Sequence, residues 1–533
     1  MTTCGEVLPR LLESYGIDIV FGIPGVHTVE LYRGLPATGL RHITPRHEQG
    51  AGFMADGYAR ACGKPAACFI ISGPGMTNIA TAMGQAYADS VPMLVISSVN
   101  NTHELGLGEG RLHELPDQQA LVRGVSVFSH TVFRAAELPA VLARAFAVFD
   151  SARPGPVHIE LPLDVITAPG EGLPLAPHRT HSGPGPDPQA VEQAAALLKS
   201  AQLPFVVLGG GTQAAAGSAR ALVDRLGAMA ALTINAKGVL PPGHPLSLGS
   251  TLPLEPVLKA LQSADVVLAV GTELSETDTL LFNGQLNLRG KVIRIDIEAE
   301  QLTRNVLPDV ALCTDAGLAM AALYDALDGH QPDFVTIQAR VAAMRGELAK
   351  LLSPAYRAHH RFLDRVAEAL PGVIIVGDST QPVYGGNLTY EPAEPRTYFN
   401  SSTGYGTLGY GLPAAFGAKL ARPDRPVVSL IGDGGIQFTI GELATAVELE
   451  LPVPILLWNN RGYGEIRRYM AERDIPLIGV DIYTPDFLAI ARGFGCTAVK
   501  AESFEHLERT LKTANNADKP TIVEIDEAAA QSW

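Results

Sequence analysis

Between Leu430 and Glu465 the chain reads LIGDGGIQFTIGELATAVELELPVPILLWNNRGYGE. Asp433 closes the apolar run PVVSLI, and Asn459 and Asn460 close the next run, VPILLW. Asn460 follows Asp433 by 27 residues, the length of one strand–helix–strand unit. Parallel strands present their carboxyl ends on one edge, where ligands bind. Asp433, Asn460 and a backbone carbonyl near Gly462 therefore offer three hard oxygen ligands for Mg2+ at roughly 2.0 to 2.1 Å, leaving the other octahedral positions to phosphate oxygens and water. Gly434 and Gly435 expose backbone amides beside the helix expected near Ile440, a setting that favours phosphate. A GDG triplet alone is most often an ordinary turn, but strand, GDG, helix, strand and NN together form a far more specific pattern.

The elements that must position these residues follow from the rest of the chain. Short apolar runs, among them IDIVFGI, AACFIIS, PMLVISS, PVHIELP, PFVVLGGG, DVVLAVG, KVIRIDI, GVIIVGD, PVVSLIGD, VPILLWNN and PTIVEID, alternate with longer helical patterns. That rhythm predicts parallel sheets with crossover helices. Two stretches read as linkers: 168–188, rich in Pro and Gly, and the polar region around Ser353 to His360. The expected architecture is α/β, with three doubly wound parallel-sheet domains. The first and third thirds each place a glycine-rich turn before a small-residue helix and a strand, weak evidence for duplicated domains.

At 533 residues the chain exceeds one core. Apolar residues make up 47% and charged residues 18%, the range of a globular protein. A net charge of −15 without a basic run argues against nucleic acid as a partner. No run approaches the roughly 18 apolar residues of a membrane span. Five scattered cysteines without a C-x-x-C pair fit a reducing cytoplasm, and MTTCGEVLPRLLESYG reads as an amphipathic helix rather than a signal peptide.

The metal pattern resembles the binding motif of thiamin diphosphate enzymes of the acetolactate synthase and 2-oxo acid decarboxylase superfamily, and the resemblance covers nearly the whole chain. It implies a pyrimidine-binding domain at about 1–168, a central Rossmann-like domain at about 185–330 and a diphosphate- and Mg2+-binding domain at about 355–528. In such enzymes a carboxylate on the pyrimidine ring lets the coenzyme deprotonate its own thiazolium carbon. TPRHEQGAGFMADGYAR matches the family's glutamate segment, which assigns that carboxylate to Glu48. A glutamate ahead of a small-residue helix is expected to be buried, with raised proton affinity; a plain N-terminal helix residue is the alternative. GYGTLGYGLPAAFGAKLA matches the segment that bends the coenzyme, assigning the Gly406 carbonyl and the Leu408 side chain, although Leu408 also reads as core. By the same resemblance Thr380, Gln381 and Tyr463 contact the coenzyme. A site shared between subunits, and hence a dimer or tetramer, is implied.

Substrate choice must come from residues around the thiazolium. His27 in FGIPGVHTVELY matches a proton-relaying histidine of some carboligases and lyases, and Gln118 in LHELPDQQALV matches an active-site glutamine; a structural role for His27 is an equal rival. EIRRYM after the metal loop departs from true acetohydroxyacid synthases. Asp278 and Ile71 stand where benzoylformate decarboxylases carry histidines, which argues against aromatic substrates. Glu273, Glu276, Asp278 and Glu465 can place negative charge near the pocket to meet a guanidinium, unless they form a solvated face. IPGVHTVELYRGL and LGEGRLHELPDQ resemble the bacterial 5-guanidino-2-oxopentanoate (2-ketoarginine) decarboxylases, which implies a small-molecule 2-oxo acid as substrate. An acetolactate-forming carboligase acting on pyruvate and a non-catalytic nucleotide-binding subunit built on VVLGGGTQ are the other readings.

Overall fold

The computed structural model describes residues 2–179, 183–282, 284–531 and 533. The described residues form three sheets in which every described strand pair runs parallel. The first sheet contains β1 (Ile19–Gly22), β2 (Arg41–Ile43), β3 (Ala66–Ile70), β4 (Met93–Val99), β5 (Phe128–Thr131) and β6 (Pro156–Pro162), in the order β2-β1-β3-β4-β6-β5. The second contains β7 (Pro204–Leu208), β8 (Met229–Leu232), β9 (Val266–Val270), β10 (Lys291–Asp296) and β11 (Val310–Cys313), in the order β11-β10-β9-β7-β8. The third contains β12 (Ile374–Gly377), β13 (Tyr398–Asn400), β14 (Val427–Gly432), β15 (Pro454–Asn459), β16 (Thr497–Lys500) and β17 (Thr521–Asp526), in the order β13-β12-β14-β15-β17-β16. Counted from their own first strands, the first and third sheets have one and the same strand order. The internal likeness read from the glycine-rich turns thus extends to topology.

The chain divides into two compact units, Met1–His181 with Ala369–Thr380 and Asn400–Trp533, and Ser182–Glu368 with Gln381–Phe399. The first unit holds the first sheet and the third sheet apart from Tyr398 and Phe399 of β13; the second holds the middle sheet. Central strands β4 and β6 are buried along their full length, as a sheet covered by helices on both faces requires.

Within the first unit the Glu48–Cys62 helix crosses the Gly411–Ala421 helix almost backbone to backbone. A Cβ at Gly57 would lie 2.0 Å from the Ala414 carbonyl oxygen, and one at Gly417 would lie 1.9 Å from that of Met54. The small residues that make this run unremarkable as a helix are what allow the approach.

One expected linker is a helix. Pro354–Ala369 is helical, its first turn capped by Ser353 Oγ, which accepts the Tyr356 N–H at 3.1 Å. Phe362, Leu363, Val366 and Ala369 are buried at helical spacing. The polar residues that suggested a linker are the other face of an amphipathic helix. The described part of 168–188 carries no helix or strand before the Pro188–Ser200 helix, apart from an isolated bridge between Thr3 and Pro169; 180–182 lie outside the described residues. No helix among the described residues is long and apolar enough to cross a membrane.

Candidate active site

The pairing of Gly432 with Trp458 brings the ends of β14 and β15 level. Asp433 is almost fully buried there; its Oδ2 accepts the Gly462 N–H at 2.9 Å and its Oδ1 the Asn460 N–H at 3.4 Å. Burial raises its carboxyl above the ordinary range, and those amides oppose the shift. No cationic side chain pairs with Asp433 among the described residues. Gly462 has φ +145°, open in practice only to glycine, which lets its amide face the carboxylate while Tyr463 N–H donates to the Val480 carbonyl at 3.0 Å.

Tyr463, Asn460 and Thr380 gather around this turn. The Tyr463 ring packs on Gly434, the Asn460 amide lies against Gly464, and Thr380 Oγ1 faces Gly432. Gly435 backs onto Asp378, a fully buried carboxylate at the tip of β12. Asp378 accepts the N–H groups of Ser379 (2.8 Å) and Gly411 (2.9 Å), and burial pushes its carboxyl up to about 6. Gln381 opens the Gln381–Thr389 helix, which belongs to the second unit. Gly406 has φ +77° and lies exposed, and Leu408 is half-buried, so its side chain is not simply core.

A second group gathers at the carboxyl edge of the first sheet. Glu48 begins its helix and is half-buried rather than buried; its Oε2 accepts from Asn78 Nδ2 at 2.9 Å. Glu48 is the acidic residue of that helix's first turn, as the alternative reading has it, and a second carboxylate, Glu442, sits just ahead of it and accepts the N–H groups of Arg46 and His47 at 3.0 Å. His27 Nδ1 lies 2.6 Å from Ser72 Oγ, and its ring meets His113 edge-on at 5.0 Å. Burial, and next the neighbouring His113, lower the His27 pKa, while Glu104 opposes them. Gln118 is buried, and its Oε1 accepts the Gly73 N–H at 2.9 Å. No hydrogen bond or ion pair joins Glu48, His27 or Gln118 to Asp433, Asn460 or Gly462.

Family models for the thiamine pyrophosphate enzymes match in three stretches: the N-terminal TPP binding domain at 2–121, the central domain at 191–323 and the C-terminal TPP binding domain at 378–525. The chain belongs to this family. Among curated relatives, a probable 2-ketoarginine decarboxylase of Pseudomonas aeruginosa is 47% identical over 99% of this chain and 95% of its own. Acetolactate synthase isozyme 1 large subunit of Escherichia coli is 33% identical over 98% and 93%, and a probable acetolactate synthase large subunit of Methanococcus aeolicus is 29% identical over 99% and 92%.

Thiamine pyrophosphate is thiamin diphosphate, and the residues of this thiamine pyrophosphate enzyme fit it. The turn after β14 is a glycine cradle in which Tyr463 already occupies the space a Cβ at Gly434 would need. Asp433 is a buried carboxylate without a cation among the described residues, and the segment whose amides it accepts, Asn460 to Gly462, also carries an amide side chain and a backbone carbonyl, the oxygen types a hard divalent ion takes. Among the described residues no three His, Cys, Asp or Glu side chains cluster as a metal site, so any ion here depends on those neutral oxygens.

The expected substrate residues fall in different units. Asp278 lies in the second unit, in the turn Glu276–Thr279, and accepts from Ser275 Oγ at 3.1 Å. Glu465 begins the Gly464–Ala471 helix in the first unit and pairs with Arg468, a guanidinium of its own helix. Sequence reasoning passed over Asp378, Asn78, Ser72 and His113. Asp378 carried a signal, since GVIIVGD and PVVSLIGD both end a strand on Gly-Asp. Asn78 carried none, because only the seating of two helices makes it Glu48's partner.

Proposed function

We propose that this chain decarboxylates a 2-oxo acid, 5-guanidino-2-oxopentanoate (2-ketoarginine), to 4-guanidinobutanal and CO2, using thiamin diphosphate anchored by Mg2+. The observation that carries the reading is Asp433, buried without a cationic partner on the same sheet edge as Asn460 and Gly462. The bound coenzyme supplies a nucleophilic thiazolium carbon and an electron sink for CO2 loss. Asp433, Asn460 and the Gly462 carbonyl hold the metal; Gly434, Gly435, Thr380, Gln381 and Tyr463 hold the diphosphate; Gly406 and Leu408 set the bend. Glu48, steered by Asn78, holds the proton at the far ring. His27, anchored on Ser72, is poised to accept or return a proton at the substrate.

The domains act as a pyrimidine-binding part at about 1–168, a central part at about 185–330 and a diphosphate-binding part at about 355–528. The same reading has the site completed by self-association to a dimer or tetramer. Support for the guanidinium substrate is the full-length similarity to the Pseudomonas protein, with Asp278 and Glu465 as the anionic partners. Arg468 pairs with Glu465, so that role requires the substrate to displace it.

The test mixes the protein with Mg2+, thiamin diphosphate and either 2-ketoarginine or pyruvate, and assays guanidinobutanal and acetolactate. Guanidinobutanal from the first substrate is expected. Acetolactate from pyruvate alone would favour the second reading, a carboligase, which the similarity to acetolactate synthase subunits supports.

A further inference from the structure

Three features of the first unit converge on the turn 71–75 between β3 and the Pro74–Ala88 helix. Ser72 holds His27, Gly75 faces the Glu48 carboxylate, and Asn78, one turn into the helix, donates to Glu48. The turn itself is pinned at Gly73, which has φ +68° and gives its N–H to Gln118 Oε1 at 2.9 Å. A Cβ at Gly73 would lie 2.6 Å from the His113 carbonyl oxygen, so the position has room for glycine alone.

Gln118 is in turn fixed from behind. Its Nε2 has Ser98 O (2.9 Å), Glu160 Oε2 (3.0 Å) and Ser97 Oγ (3.1 Å) within hydrogen-bond distance, three acceptors that share two N–H groups, so its amide is engaged at both ends inside the protein. Glu160 on β6 is buried, accepts from Thr131 Oγ1 at 2.5 Å, and meets no cation among the described residues. Ser97 is held by His158, whose other ring nitrogen lies 2.6 Å from Ser129 Oγ. A buried network satisfied at every member specifies one arrangement, and this one ends on the turn that orients both candidate catalytic side chains.

We propose that Glu160 is a positioning residue of the active site: through the amide of Gln118 it fixes the turn 71–75 from which His27 and Glu48 are aimed. The inference rests on the roles proposed for those two residues. It also changes the role of Gln118, whose side chain acts on the turn.

The test uses the full-length protein with Mg2+, thiamin diphosphate and whichever 2-oxo acid the wild type turns over. Glu160→Leu removes the acceptor at similar size. Glu160→Gln keeps an acceptor for Gln118, while the Thr131 hydroxyl can turn to accept from the new amide. Glu160→Leu is expected to lower kcat about 10- to 100-fold, the scale of a misplaced catalytic group. KM and coenzyme affinity are expected to stay within about threefold, and Glu160→Gln to keep its kcat within about threefold. A Gln118→Leu/Glu160→Leu double variant should be no slower than Gln118→Leu, because both substitutions cut one connection. Wild-type kcat in Glu160→Leu, or a double variant slower by the full Glu160→Leu factor, overturns the proposal. If Glu160→Leu does not fold, Glu160→Asp, one methylene too short to reach Gln118, is read by the same criteria. Glu48→Gln is measured alongside: undiminished turnover there removes the reading of Glu48 and leaves the Glu160–Gln118 coupling as a separate result.

Discussion

Replacing Gly462 with alanine attacks the candidate metal turn at its least tolerant point. The residue has φ +145°, a region closed in practice to L side chains, and its Cβ would sit 2.4 Å from the Val480 carbonyl oxygen. Keeping the turn stores about 1 to 3 kcal/mol of backbone strain. Relaxing it withdraws the 2.9 Å N–H from Asp433, and a hydrogen bond to a charged group contributes about 1.5 to 3 kcal/mol. These are alternatives, so they do not add, and either one falls on the ligand set. With 1.4 kcal/mol per factor of ten, the half-saturating Mg2+ concentration should rise about 10- to 100-fold. The assay is coenzyme uptake titrated with Mg2+ by calorimetry, with far-ultraviolet circular dichroism expected to stay at wild type because the change lies beyond the strand ends. An unaltered Mg2+ requirement in Gly462→Ala would refute the placement of the ion.

Three other outcomes follow from the geometry. Glu48→Gln should bind thiamin diphosphate within about tenfold of wild type but lose turnover by at least about a hundredfold, measured as CO2 release. Asp433→Asn should abolish the stabilisation that Mg2+ and coenzyme confer in thermal melts, while the unloaded protein changes by no more than about 1 kcal/mol, since a disfavoured buried charge and one acceptor are lost together. Asp378 has its carboxyl pushed up to about 6 from 3.8, so the fold holds that proton more tightly than the unfolded chain does. Its stabilising contribution is full below pH 3.8 and disappears as pH rises through 6, about 3 kcal/mol at 1.36 kcal/mol per unit. The stability difference between wild type and Asp378→Asn should change by that amount between pH 3.5 and 7 in urea titrations; a pH-independent difference would contradict it.

The eleven strands legible in the sequence are all present, and the six that were not, β2, β5, β8, β11, β13 and β16, are the two edges of each sheet. Edge strands are short and need bury only part of their surface, so β2, β5, β11 and β16 lack a continuous apolar run; β8 and β13, buried but only four and three residues long, are too brief to register. The Asp433–Asn460 turn was readable because both residues close consecutive apolar runs. Glu442 was not: its contacts with Arg46 and His47 span 396 and 395 residues of chain, and no local pattern encodes such contacts. The helix at Pro354 was misread because polar residues on a solvent face outweigh, in a short window, the apolar spacing that emerges only over four turns.

The crossing at Gly57 and Gly417 carries a consequence for how this sequence can drift. Two positions 360 residues apart lack room for even one methyl group, and each abuts a carbonyl that belongs to the other segment. Neither can change alone, and no change at one relieves the other. A distant homologue with alanine or anything larger at both must seat these helices farther apart, and the candidate site residues beside them, Glu48 and Leu408, would then be spaced differently.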